Sequence, residues 1–323
     1  AAPTARLPLF SDMVVFMSYA MQVVMGFLLM GALFIVLPRT MVSAKRINQV
    51  LDLHSSIQNP AQVQQADENL KGQVEFKDVT FRYAANSEAV IENISFKAEA
   101  GQTVAFIGST GSGKSTLVNL IPRFYDVSAG EILVDGVNVQ DYDLEDLRNK
   151  VGYIPQKAIL FSGDVKDNLD FGQSLETPLS EQAMWQALEL AQSKNFIEDK
   201  EAGLDSEVAQ GGTNFSGGQR QRLAIARALA RKPEILIFDD SFSALDYKTD
   251  RTLRQDLAER TKSMTKLIVA QRISTIMDAD LILVLEQGKV VGQGTHKELL
   301  ANNEVYQEIA YSQLSKEELE HGK

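Results

Sequence analysis

The fold of this chain is decided by Gly108-Ser109-Thr110-Gly111-Ser112-Gly113-Lys114-Ser115-Thr116, a glycine-rich loop between two patterned segments. Residues 103–107 are an apolar run that predicts a β-strand, and residues 114–120 carry a helical pattern that closes at Pro122. Glycines in such a loop let successive backbone N–H groups converge on phosphate oxygens, and the helix N-terminus adds its positive dipole end. The strand–loop–helix context therefore favours a phosphate-binding loop over a glycine turn that only caps a helix.

Two polar side chains of the loop are predicted to act on a bound nucleotide. Lys114 can reach the β- and γ-phosphates, and the hydroxyl of Ser115 can bind Mg²⁺. A second stretch, residues 235–240, is an apolar strand that ends in Asp239 and Asp240. Because folds with this loop place an aspartate at a strand end beside Mg²⁺, Asp239 is expected to complete the metal site. An aspartate pair that only caps a following turn is the alternative.

Composition limits the classes of protein and partner. The chain has 323 residues, ordinary apolar content and a net charge of −11, which argues against a nucleic-acid partner bound by bulk charge. It contains no cysteine, so disulfides and thiolate–metal sites are excluded. The length is that of one large domain or two smaller ones.

An uncharged apolar segment near the start predicts a membrane-spanning helix at about residues 12–37. Residues 13–37 carry no charged side chain and are long enough to cross a bilayer. Arg39, Lys45 and Arg46 follow it, and the positive-inside rule puts that end in the cytoplasm. A signal peptide and a buried helix of a soluble domain are the alternatives, but the apolar run is too long for the first and unusual for the second. Since one helix cannot form a pathway, further spans are expected to precede it or to come from a partner.

Shifts in pattern along the chain predict four segments. We interpret residues 1–53 as the end of a transmembrane domain with a cytoplasmic helical extension, 54–72 as a polar linker, 73–312 as a compact domain and 313–323 as a polar tail. The compact domain alternates strand and helix patterns, and residues 235–238 have the continuous apolar character of a parallel strand covered on both faces. These patterns predict an α/β fold.

A second predicted anion site lies at Ser216, Gly217, Gly218 and Gln219, where a long helix begins. A serine, two glycines and free N–H groups at a helix start are suited to an anion. Because one chain does not need two such sites for one triphosphate, we expect a dimer in which this site closes on the γ-phosphate held by the partner.

Together these motifs resemble the C-terminal part of an ATP-binding cassette (ABC) exporter, from about residue 11 to about residue 310. In that family the Walker A motif corresponds to residues 108–115, the Walker B motif to 235–239 and the signature motif to 215–219, with Phe215 where leucine is usual. The resemblance implies a P-loop NTPase fold, an ABC nucleotide-binding domain with a mixed sheet and a helical subdomain, preceded by the last transmembrane helix of an exporter. It also implies ATP and Mg²⁺ as cofactors.

The resemblance also extends the set of site residues. Tyr83 would stack on adenine, although an ordinary strand aromatic is the alternative, and Gln156 would touch Mg²⁺ and sense the transmembrane domain. Residues 243–246 would form the D-loop. The catalytic residues would be Asp240, Gln271 and Gln156, the metal ligands Ser115, Gln156 and Asp239, and the nucleotide ligands Tyr83, Gly108, Ser109, Thr110, Gly111, Ser112, Gly113, Lys114, Ser115, Thr116, Ser216, Gly217, Gly218 and Gln219.

Two positions depart from the usual exporter pattern. Asp240 stands where a glutamate normally polarises the attacking water, and Gln271 stands where a histidine is usual. An aspartate is one methylene shorter, so its carboxylate should fall short of the water, and a glutamine cannot carry the proton that a histidine can. Misplacement on that scale costs on the order of 100-fold in rate. The site is therefore expected to bind ATP and hydrolyse it slowly, unless the two changes are harmless family variants.

The signature motif is intact and would serve the opposite site, so an asymmetric heterodimer is predicted. The partner would be a second ABC half-transporter with glutamate and histidine at the equivalent positions and a weakened signature motif. The full-length protein would be a multi-pass exporter of a drug, lipid or peptide in the cytoplasmic membrane, with its ATP-binding domain on the cytoplasmic side and no nucleic-acid partner. The alternatives are a homodimeric exporter and a soluble ABC-type ATPase not involved in transport, and the predicted membrane span counts against the second.

Overall fold

The computed structural model describes residues 6–172 and 178–314, so the predicted tail at residues 313–323 lies outside the described residues except for its first two positions. Contacts within the chain divide it into two units, Ala1–Ser56 and Ile57–Lys323. The predicted domain boundary at residues 53–54 lies close to the point at which the two units divide.

The described part of the first unit is one helix, α1 (Arg6–Leu51), which is 46 residues long and continues through Pro38. An 18-residue window within Pro8–Leu51 has a mean hydropathy of 2.4, and none of that window is buried. By length and composition this helix could cross a membrane. A continuous apolar surface of that extent requires cover from lipid or from other helices.

The second unit alternates strands and helices over the described residues. Its elements are β1 (Val74–Phe81), β2 (Ile91–Ala98), β3 (Thr103–Gly108), α2 (Lys114–Asn119), β4 (Ala129–Val134), β5 (Val137–Asn138), α3 (Leu144–Lys150), β6 (Val151–Ile154), β7 (Gly163–Asp164), α4 (Val165–Asp170), α5 (Glu181–Leu190), α6 (Lys194–Glu198), β8 (Glu207–Val208), α7 (Gly217–Ala230), β9 (Ile235–Asp239), α8 (Tyr247–Arg260), β10 (Thr265–Val269), α9 (Ile273–Ile276), β11 (Leu281–Glu286), β12 (Lys289–Gly294), α10 (His296–Asn302) and α11 (Glu304–Gln313).

A six-stranded sheet with the order β12-β11-β3-β10-β9-β6 forms the centre of this unit. Its pairs are parallel except for β11 with β12. Every residue of β9 is buried, and alternate residues enter two different cores: Leu236 and Phe238 join one, and Ile235 and Ile237 join the other. The continuous apolar run of β9 is therefore explained by burial on both faces of the sheet.

The order of the strands brings the functional loops together. The carboxyl ends of parallel strands lie at one edge of a sheet, and ligands bind in the crevice outside that edge. The glycine-rich loop follows β3, Asp240 follows β9, and Gln156 follows β6. Three segments that are far apart in sequence therefore meet at one edge.

A second, antiparallel sheet with the order β2-β1-β4-β5 completes the mixed architecture that the sequence predicts. Asp135 and Gly136 both have positive φ, 50° and 79°, in the tight turn between β4 and β5. Residues 74–83 carry the alternating apolar pattern of one strand, but β1 ends at Phe81. Tyr83 therefore lies in the loop after the strand, where the Ser87 hydroxyl bonds the backbone of Ala84.

Candidate nucleotide-binding site

The glycine-rich loop has a backbone that only glycine accommodates at two of its positions. Gly113 has a φ of 95°, and a Cβ there would lie 2.8 Å from Ile91 Cδ1 and 2.9 Å from the carbonyl oxygen of Val90. Gly108 has a φ of 154°, and a Cβ there would collide with the carbonyl oxygen of Leu285. Both glycines thus allow the loop to turn tightly from β3 into α2.

Lys114, the first residue of α2, folds its side chain back into the loop. Its ammonium donates to the carbonyl oxygens of Gly108 and Ser109, at 2.8 Å each, and to Ser112 Oγ at 3.3 Å. Burial lowers the pKa of the Lys114 ammonium, and the neighbouring carboxylates of Asp240 and Asp239 act in the opposite direction. The loop therefore holds a largely buried cation among neutral oxygen atoms.

A hydroxyl and a carboxylate that are 124 positions apart meet next to this cation. Ser115 Oγ donates to Asp239 Oδ1 at 2.7 Å, and the hydroxyl of Tyr153 donates to Asp239 Oδ2 at 3.1 Å. Hard oxygen donors of this kind suit Mg²⁺, which is bound in proteins by few carboxylates together with phosphate and water. Within residues 6–172 and 178–314 no group of three or more His, Cys, Asp and Glu side chains forms an alternative metal site.

The contact of Tyr153 with Asp239 was not predicted from the sequence. Tyr153 lies on β6, and β6 pairs with β9 so that Tyr153 is aligned with Ile237. Burial raises the pKa of the Tyr153 phenol, with a further contribution from Asp239, so the hydroxyl remains a donor. The only signal in the sequence is a tyrosine on the strand that leads to Gln156, and that signal does not identify its partner.

Asp240 forms a second cluster, and its members differ from the predicted metal set. Asp240 Oδ2 accepts from Gln156 Nε2 at 3.0 Å and from Gln271 Nε2 at 2.7 Å. Gln156 therefore contacts Asp240, and among the described residues no hydrogen bond joins Gln156 to Ser115 or to Asp239. The cause is geometric, because the loop after β6 directs the amide toward the residue that follows β9.

The environment of Asp240 constrains its carboxylate. Its backbone has a φ of 49°, in the left-handed region that aspartate adopts more readily than most residues. Burial raises the pKa of the Asp240 carboxyl, and the hydrogen bond from Gln156 opposes that rise. Both the backbone and the two amide donors therefore hold the carboxylate in place.

Tyr83 lies beside the start of α2. Its hydroxyl is 2.9 Å from Thr116 Oγ1, and its ring makes edge contacts with Phe81 at 4.8 Å and with Tyr125 at 5.2 Å between centroids. About half of the residue, 54%, is exposed to solvent. An exposed aromatic ring therefore lies beside Thr116, the residue that follows Ser115.

The second predicted anion site caps α7. Ser216 Oγ accepts from the backbone N–H of Gln219 at 3.3 Å, and Gln219 Oε1 accepts from the backbone N–H of Ser216 at 2.9 Å. Gly217 and Gly218, between them, are the first helical residues, and a Cβ at Gly217 would meet no atom within 4 Å. No hydrogen bond among the described residues joins this motif to the glycine-rich loop, so the two predicted anion sites are separate within one chain.

Known proteins match this chain across the same features. Residues 91–243 match the family model described as ABC transporter. An uncharacterized ABC transporter ATP-binding protein of Mycobacterium tuberculosis is 46% identical over 302 residues, which are 94% of this chain and 52% of that protein. An ATP-dependent lipid A-core flippase of Pasteurella multocida is 43% identical over 248 residues, 77% of this chain and 42% of the flippase.

A solved structure supports the same assignment. The structure of a bacterial Atm1-family ABC exporter with ATP bound has a TM-score of 0.79 and 32% sequence identity, and the match covers 86% of this chain and 48% of the exporter chain. The chain spans about half the length of the curated relatives that it matches. By its fold, its motifs and these matches, the chain carries an ABC transporter ATP-binding domain preceded by an apolar helix, and exporters are among its relatives.

Proposed function

We propose that this chain is the ATP-binding and ATPase subunit of an ABC exporter that moves a drug, lipid or peptide across the cytoplasmic membrane. The observation that carries this proposal is the convergence of the glycine-rich loop, Lys114 and the Ser115–Asp239 pair at one edge of the sheet. The apolar helix α1 supports attachment to a membrane, with the ATP-binding domain on the cytoplasmic side. An Atm1-family exporter among the relatives supports export as the coupled process.

The residues at this edge fit ATP and Mg²⁺. Lys114 and the backbone N–H groups of the loop would hold the phosphates, since a buried ammonium among neutral oxygen atoms is stabilised by an anion. Ser115 and Asp239 would hold the metal, and the exposed ring of Tyr83 would stack on adenine. Bound Mg²⁺ would supply positive charge to the β- and γ-phosphate oxygens.

We further propose that this chain's own site binds ATP but hydrolyses it slowly. A general base must lie within hydrogen-bond reach of the proton that it removes. Asp240 is shorter than the usual glutamate, and its Oδ2 is already the acceptor for Gln156 and Gln271. Gln271 can donate a hydrogen bond but cannot take up a proton at neutral pH.

The signature motif leads us to propose a heterodimer. Ser216, Gly217, Gly218 and Gln219 present the start of a 14-residue helix, α7, where the dipole favours an anion. These residues would complete an efficient site on a second ABC half-transporter whose glutamate and histidine are intact. Conversely, a weakened signature motif of the partner would close the slow site of this chain.

The experiment is ATP turnover by the purified full-length protein in lipid nanodiscs, without a partner, for the wild type and the variant with Asp240→Glu and Gln271→His. We expect near-silence for the wild type and a rise on the order of 100-fold for the double variant. Binding of a fluorescent ATP analogue should be equal in both proteins, because neither change touches the glycine-rich loop.

The homodimeric alternative predicts a different result. Brisk turnover by the wild type alone, abolished by Asp240→Asn, would show that Asp240 is an effective base and would contradict the slow site. Absence of Mg²⁺-dependent ATP binding in every variant would contradict the nucleotide site itself.

A further inference from the structure

The last residue of α11 makes two hydrogen bonds to the segment that carries Gln271. Gln313 Nε2 donates to the carbonyl oxygen of Gln271 at 2.8 Å, and Gln313 Oε1 accepts from the backbone N–H of Ile273 at 2.8 Å. One side-chain amide thus binds the backbone on both sides of Arg272. The Arg272 side chain makes no capping hydrogen bond to α9, so Gln313 satisfies an N–H group at the start of that helix.

The helix that carries Gln313 is fixed by its own packing. Tyr306 and Ala310 of α11 are fully buried, and the Tyr306 hydroxyl is 2.7 Å from Nδ1 of the buried His296. Asn303 caps the start of α11 through the backbone N–H of Tyr306. Because these contacts hold α11 against the domain, Gln313 acts from a rigid base.

We propose that Gln313 is a positioning residue that holds the backbone of Gln271 so that its side chain reaches Asp240. The contacts form one continuous series, from Gln313 to the backbone of Gln271 and from Gln271 Nε2 to Asp240 Oδ2 at 2.7 Å. The end of α11 is thereby coupled to the residue that follows β9. The effect of this coupling on ATP hydrolysis rests on the proposed roles of Gln271 and Asp240. The coupling between Gln313 and Asp240 does not rest on those roles.

The coupling can be measured by amide hydrogen exchange of the full-length protein without nucleotide. Asp240 holds the following turn, because its backbone carbonyl accepts from the Ser243 hydroxyl at 2.8 Å, so loss of the Gln271 contact should loosen residues 241–246. We expect Gln313→Ala, Gln271→Ala and the double variant to speed exchange there by the same factor of about fivefold, as for the loss of one hydrogen bond.

A matched control lies on the same helix. Gln307 Nε2 donates to the carbonyl oxygen of Leu300 at 2.8 Å, so Gln307→Ala removes one glutamine hydrogen bond between α11 and α10 without touching the Gln271 segment. We expect wild-type exchange at residues 241–246 in this variant. Wild-type exchange in Gln313→Ala, additive effects in the double variant, or an equal effect of Gln307→Ala would each overturn the proposal.

Turnover of the Asp240→Glu, Gln271→His protein provides an independent measurement of the same coupling. Adding Gln313→Ala should lower its rate about fivefold, and adding Gln307→Ala should not. If the background protein is itself silent, the proposed slow site is contradicted while the exchange result still decides the role of Gln313. An active background that is insensitive to Gln313→Ala would overturn the positioning role.

Discussion

Removing the Tyr153 hydroxyl should weaken Mg²⁺ binding, so that nucleotide binding requires a higher Mg²⁺ concentration. In Tyr153→Phe, Asp239 Oδ2 loses a hydrogen bond of 3.1 Å while the ring and its edge contact with Phe124 at 5.6 Å remain. A hydrogen bond to a charged acceptor contributes about 1.5–3 kcal/mol. The long distance favours the lower end, so we expect metal affinity about tenfold weaker, which is in the range found for residues that orient a metal ligand.

The assay is a Mg²⁺ titration of fluorescent ATP binding to the full-length protein. The control variant is Tyr142→Phe, which removes a buried hydroxyl that donates to the carbonyl oxygen of Val134 at 2.9 Å, on the antiparallel sheet. The control should keep the wild-type Mg²⁺ midpoint. An unchanged midpoint in Tyr153→Phe, or an equal shift in both variants, would refute the assignment of Tyr153 to the orientation of Asp239.

Two further predictions concern the cap of α7 and a buried ion pair. Ser216→Ala should lower the free energy of unfolding by about 1 kcal/mol, the usual cost of a lost N-cap. The same variant should leave ATP binding to this chain's glycine-rich loop unchanged. A fall in that binding would show that one chain uses both sites. Lys150 donates to Asp135 at 2.7 Å, and burial raises the pKa of that carboxyl, so Lys150→Met should cost about 3 kcal/mol at pH 7 in urea unfolding. This loss of unfolding free energy should shrink as the pH falls toward 5. The reason is that the pKa of the Asp135 carboxyl is raised in the folded state, so protonation of that carboxyl favours the folded protein. Lys77→Met, on the exposed pair with Glu131, is the control, and a loss that grows on acidification would contradict the reasoning.

The local sequence pattern was sufficient to predict the fold class and most of the helices and strands. The glycine-rich loop, the strand that ends in Asp239 and the helix that begins after Ser216 are contiguous segments, and their backbone conformation follows from residue type and periodicity. Residues 144–150 and 151–154 likewise carry helix and strand patterns, and they form α3 and β6. The end of β1 at Phe81 was not predicted, because the turn after it depends on hydrogen bonds of Ser87 and Ser128.

By itself, the amino-acid sequence predicted a loop of the phosphate-binding type and an apolar helix, and its resemblance to ABC exporters indicated an aspartate where a glutamate is usual. Only the tertiary structure decided which side chains meet Asp240. One carboxylate oxygen of Asp240 accepts hydrogen bonds from Gln156, which is 84 positions away, and from Gln271, which is 31 positions away. Gln313, a further 42 positions along the chain, holds the segment of Gln271. The physical reason is that sheet order and helix packing set these distances, whereas a local pattern specifies only the conformation of its own segment.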